Sequence, residues 1–319
     1  MWSEIIGHTQ TIAMLRTVLL SGKIPHAMLF SGPQGIGKMT VARAVATNLL
    51  KSPIDSHPDF TLVALEGNSI KIDQIRNLQR QSSHAPHGAA WQVCILENAE
   101  RMTREAANSF LKLLEEPPAY MVFILVASTN APLLPTIVSR CRLFRFLPLP
   151  HGVLADALAA KGFVREQADL CARLGEGRLQ RAIAFLQAGG LARRDQVITL
   201  VEALPTVDMQ TLWDVAVDLT KLEAGEAEAW RRFLLFVFRD LLVCCVSRSQ
   251  NHLLLNIDQA ARLDVAAGKW DAEKLQAALI AVCKAERALA ANANSRLTYE
   301  ALLIQLRELA QRNSKILIE

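Results

Sequence analysis

The stretch at residues 27–38, AMLFSGPQGIGK, constrains this chain more than any other. A short apolar run of strand length ends in a Gly-rich turn. A helical pattern follows, with Val41, Ala42, Val45, Ala46 and Leu49 on one face. Gly32, Gly35, Ile36, Gly37 and Lys38 fit a phosphate-binding loop. In such a loop glycines turn backbone N–H groups inward, the helix N-terminus adds positive potential, and the Lys reaches the outer phosphates. Residues 61–65, 92–96 and 122–128 are three further apolar runs of strand length. Thr103 reads as the N-cap of a helix carrying Ala107, Phe110, Leu111 and Leu114, which Pro117-Pro118 ends. Strands alternating with helices predict an α/β domain over residues 1–147, a parallel sheet covered on both faces.

After Pro148-Leu149-Pro150 the strand signals stop. Residues 148–204 are Ala/Leu-rich and broken at Gly162, Gly175, Gly177 and Gly189-Gly190, which predicts a small helical domain. From Pro205 on, three apolar stripes predict an all-α bundle over residues 205–319. They are Leu212/Val215/Ala216/Leu219, a broad one from Trp230 to Cys245, and Leu302/Leu303/Leu306/Leu309. The length of 319 residues suits two or three domains. A net charge of +4 permits a nucleic-acid partner without arguing for one.

Six Cys include no Cys-x-x-Cys pair, so neither a zinc site nor a disulfide framework is expected, and free thiols suit a reducing cytosol. The N-terminus has no basic-then-apolar signal. The most apolar stretch, residues 233–246, is short and interrupted by Arg239 and Asp240. A cytoplasmic location without a membrane partner is therefore expected. His84 and His87 read as loop residues, and Cys244-Cys245 as helix packing.

Two departures mark the phosphate loop. The hydroxyl that normally follows the Lys and ligates Mg²⁺ is replaced by Met39, whose thioether is a poor ligand for a hard cation. Thr40 is expected to lie about 100° further round the helix. The strand at 92–96 runs into Glu97-Asn98, where such proteins usually place an Asp–Glu pair. Glu97 can still help a metal, but Asn98 cannot act as a general base. Glu100 is two residues on, at a reach the sequence leaves open. Two defects in one site predict an impaired ATPase. ATP or ADP is expected, at most, to bind without turnover.

Five stretches together carry a resemblance: HAMLFSGPQGIGK (26–38), HPDF (57–60), TREAANSFLKLLEEPP (103–118), LPTIVSRCRLF (134–144) and NANSRLTYEALL (292–303). Over nearly the whole chain they resemble the AAA+ subunits of the bacterial DNA polymerase III clamp loader. The degenerate loop is more similar to the delta-prime branch of that family than to its motor subunits. The resemblance implies a P-loop AAA+ sheet domain at 1–147, a lid at 148–204 and a collar at 205–319. The partners it implies are motor and delta subunits in a five-membered ring, the sliding clamp, and primed DNA through the complex. Residues 51–57 hold no Cys, so the zinc module common in the family is expected to be missing.

The resemblance also assigns roles. Arg140, in Ser139-Arg140-Cys141, is implied to be an arginine finger acting in trans on a neighbour's ATP site; taken alone it is a surface Arg in an ion pair. Arg181, in the 175–181 segment, matches a second nucleotide-sensing Arg, with a plain helix-surface charge as the equal alternative. Thr129-Asn130 stands where relatives keep a polar sensor. Two readings stay open: a stator that lends Arg140, and an AAA+ ATPase active at its own loop, as a motor subunit or in another remodelling assembly, against which Met39, Glu97 and Asn98 argue.

Overall fold

A computed structural model describes residue 2 and residues 5–128, 133–187, 189–247 and 251–311. Five strands form one sheet: β1 (Ala27–Ser31), β2 (Phe60–Val63), β3 (Gln92–Glu97), β4 (Met121–Ala127) and β5 (Arg142–Arg145). All pairings are parallel, in the order β2-β3-β4-β1-β5. The four apolar runs predicted as strands are β1 to β4, within two residues at each end. The fifth strand left no such signal, because Arg142 and Arg145 flank its two apolar residues.

The period of two along each strand sorts the core into two halves. Met28, Phe30, Val93, Ile95, Val122, Ile124 and Val126 face one side. There they pack with Leu15 and Val18 of α1 (Thr9–Leu20) and with Val41, Val45 and Leu49 of α2 (Lys38–Leu50). Leu29, Cys94, Leu96, Phe123 and Leu125 face the other, against α3 (Ile72–Ser82) and α4 (Arg104–Glu115). Thr103 caps α4 by accepting from the Ala106 N–H at 3.2 Å. The Phe110 ring meets Phe123 edge-on at 5.3 Å. A short helix, α5 (Pro135–Val138), precedes β5, and Ile137 anchors it in this second half of the core.

The chain divides into two compact units. The first runs to Gly162 and includes α6 (His151–Ala160) and the segment Gly175–Arg181. The second holds α7 (Arg165–Leu174), α8 (Leu179–Leu186) from Ala182 on, and the remaining helices. These are α9 (Gly190–Ala203), α10 (Met209–Lys221), α11 (Ala224–Val246), α12 (Ala260–Ala267), α13 (Ala272–Ala290) and α14 (Ser295–Gln311). The broad stripe is explained by α11, which is packed on by α9, α12 and α13. Its Asp240 is fully buried and accepts from the Leu255 and Asn256 N–H groups and from Asn256 Nδ2. Among the described residues no helix is long and apolar enough to cross a membrane.

Candidate nucleotide site

The C-terminal ends of β1, β4 and β3 lie side by side, where parallel sheets open a crevice for ligands. A cavity of about 130 Å³ sits there, lined by Gly35, Gly37, Lys38, Met39, Thr40, Glu97, Asn98, Glu100, Ala127, Ser128 and Gln180. Ordinary small-molecule sites are roughly 300–1,000 Å³. The cavity is smaller than that. Gly37 caps α2 with φ +101°, a conformation that a side chain would strain.

Lys38 is 6% exposed and donates through Nζ to the carbonyls of Gly32 (2.7 Å) and Pro33 (2.6 Å). Burial pulls its pKa down to about 8; the nearby Glu100 carboxylate opposes this and Arg178 adds to it. His8, which belongs to no sequence motif, holds the loop from outside. Its Nε2 donates to the Ile36 carbonyl at 2.8 Å, and its ring rests on Phe146. Burial lowers the pKa of His8; the hydrogen bond to Ile36 opposes that and Lys38 reinforces it. A neutral ring serves this contact, and a lone His before a helix carried no signal of it.

The metal and base positions differ in kind. Met39 packs against the core of the α1/α2 side, so the residue after Lys38 offers no oxygen. Thr40, expected to be turned away, lines the cavity instead. Asn98 also lines it and sits at φ +52°, in the left-handed region that Asn tolerates better than most residues. It forms the turn from β3 into the 3₁₀ segment Ala99–Arg101. Glu97 and Glu100 both reach the cavity, and Glu100 Oε2 is buried with no hydrogen-bond partner. Lys38 and the loop fit phosphate. Met39 does not fit Mg²⁺, and the oxygen-bearing side chains along the cavity are those of Gln34, Thr40, Glu97, Asn98, Glu100, Ser128 and Gln180.

From the 175–181 segment Gln180 and Arg178 approach the loop, both beside Gly35. The Gln180 N–H donates to the Gly35 carbonyl at 3.1 Å, and the Gln180 side chain lines the cavity. Arg181 pairs with Glu176 at 2.6 Å and is not among the cavity residues. Thr129-Asn130 lies outside the described residues.

Arg140 stands apart from this cavity, in the turn after α5. Pro135 opens that helix. Ile137 is fully buried, and Val138 and Cys141 pack on the same cluster. Burial pushes the Cys141 thiol up to about 12, so it is packing rather than a reactive group. The anchoring leaves the Arg140 side chain 36% exposed. Its Nη1 donates to the Thr136 carbonyl at 3.0 Å and its Nη2 to Glu115 Oε1 at 2.8 Å.

Comparisons with known proteins agree with this geometry. A family model described as "DNA polymerase III, delta subunit" matches residues 7–150. The DNA polymerase III subunit delta' of Bacillus subtilis is 26% identical, over 96% of this chain and 98% of its own length. The chain is similar to subunits of DNA polymerase III over nearly its whole length. The DNA polymerase III subunit gamma/tau of Mycobacterium tuberculosis is 30% identical over 87% of this chain. The match spans 57% of that relative's length, a little over half. Among solved structures, a DNA polymerase III gamma subunit-related protein of Thermotoga maritima superposes with a TM-score of 0.56. It is 23% identical and covers 93% of this chain and 99% of its own, a likeness of fold.

Proposed function

We propose that the chain is a delta-prime-like stator of the clamp loader, which lends Arg140 to the ATP site of a neighbouring motor subunit and turns over little ATP itself. In this reading residues 148–204 are the lid and 205–319 the collar of a five-membered ring with motor and delta subunits. The ring acts on the sliding clamp and reaches primed DNA as an assembly.

One observation carries the reading: Arg140 is partly exposed on an anchored turn and does not line its own chain's cavity. Its guanidinium is paired with a half-exposed Glu115, an exchangeable contact that leaves it able to serve another chain. A guanidinium grips phosphate oxygens in a fork and stabilises charge developing on a transferring phosphoryl group. Fingers of this kind contribute about 10³–10⁵ in rate in GTPases. The cavity supports the other half of the reading. Met39 lines the cavity with a thioether in place of an oxygen, and Asn98 serves a left-handed turn.

A second reading, an active AAA+ motor, has its own support. Thr40 and Glu100, whose Oε2 has no hydrogen-bond partner among the described residues, bring a hydroxyl and an acid into the cavity. ATP turnover by the purified chain separates the two readings. The finger itself is tested by Arg140→Ala in a reconstituted clamp loader. The expected result is an intact assembly whose clamp- and DNA-stimulated ATPase falls; unchanged stimulated turnover removes the assignment.

A further inference from the structure

Glu115 ends α4 and is the carboxylate that pairs with Arg140. Both backbones are fixed. The α4 segment is held by buried Phe110, Leu113 and Leu114, and Pro117-Pro118 lie just beyond it. The turn bearing Arg140 is held by Ile137 and Cys141. Yet both side chains face solvent, Arg140 at 36% and Glu115 at 52% exposed. The contact is a single bond from Nη2, since Nη1 is engaged by the Thr136 carbonyl.

We propose that Glu115 is a positioning residue. It parks the Arg140 guanidinium at rest and competes for it with the terminal phosphate of a nucleoside triphosphate bound by a neighbouring chain. This rests on the trans-acting reading of Arg140. An exposed pair between long side chains is weak and exchangeable. A terminal phosphate carries more charge and three oxygens, and it can take both guanidinium branches at once. Exchange therefore favours the phosphate when it arrives. Even then Glu115 stays beside the guanidinium, and its negative charge opposes the incoming anion. The carboxylate thus raises the triphosphate concentration needed to engage the finger and keeps the side chain aimed when none is present.

The test is steady-state ATP hydrolysis by the reconstituted assembly containing wild-type chain, Glu115→Gln, Arg140→Ala or the double variant. Glu115→Gln is expected to raise kcat/KM about two- to five-fold, mainly through a lower KM for ATP, as removal of one exposed like charge allows. The gain is expected to vanish in the Arg140→Ala background, which a merely structural role for Glu115 does not predict. An unchanged or higher KM in Glu115→Gln, with Arg140→Ala still impaired, overturns this inference and leaves the finger reading standing. A gain that persists without Arg140 overturns it as well. An Arg140→Ala assembly with full activity overturns both. Melting curves of Glu115→Gln matching wild type keep folding out of the comparison.

Discussion

Lys38 joins sequence, burial and chemistry at a single residue. Burial holds its pKa at about 8, below the ordinary 10.5. Between those values the unfolded chain binds the extra proton and the folded one does not. The stability contribution of Lys38 therefore rises as pH climbs from about 8 toward 10.5, where the cost of a buried charge is relieved. For a phosphate ligand the sign reverses, because the ligand prefers the ammonium form. Affinity for a fluorescent ATP analogue is predicted to fall as pH passes above 8, with proton uptake on binding near that pH. Calorimetry in buffers of different ionisation enthalpy reads the uptake, and no proton linkage between pH 7 and 9 contradicts this placement of Lys38.

The glycines and Lys38 were legible in sequence because their spacing is the chemistry. Asp240 was legible as a charge interrupting an apolar helix. That it anchors a loop through the Leu255 and Asn256 N–H groups was not, since both partners lie more than a dozen residues away.

At the scale of elements, β1, β3 and β4 could be read because each is buried on both faces and thus continuously apolar. β2 has one buried residue but belongs to a run without charged residues, whereas in β5 Arg142 and Arg145 flank Leu143-Phe144 and break the pattern. Which residue of the 175–181 segment faces the phosphate loop was also hidden. The resemblance points to Arg181, while the fold brings Gln180 to Gly35 and pairs Arg181 with Glu176. That approach depends on Gly177. It has φ +76°, its carbonyl accepts from the Leu149 N–H at 2.9 Å, and a Cβ there would stand 2.6 Å from Pro148 Cβ and 2.7 Å from Leu149 N. Gly177→Ala is predicted to destabilise the first unit by about 1–3 kcal/mol through strained backbone and forced separation. It should also loosen Gln180 from the loop. A melting temperature equal to wild type would show that the segment does not need this close approach.

At the scale of the whole molecule, one chain combines a phosphate loop, a cavity without the usual hydroxyl and base, and an exposed Arg on an anchored turn. Each was visible as a motif. Their relation was not, because it depends on where β3, α5 and the loop end up in space. Met39 is the clearest case: its sequence position marks a missing oxygen, and its side chain lines the cavity while packing on the core beneath it. The central claim is that this chain acts on ATP held by another subunit and hardly on its own. The most direct measurement is steady-state ATP hydrolysis by the purified full chain with Mg²⁺, beside Met39→Thr. The account predicts negligible turnover for both, because restoring the hydroxyl leaves Asn98 without a base. Robust turnover by the wild-type chain, persisting through rigorous purification and abolished by Lys38→Ala, would contradict it.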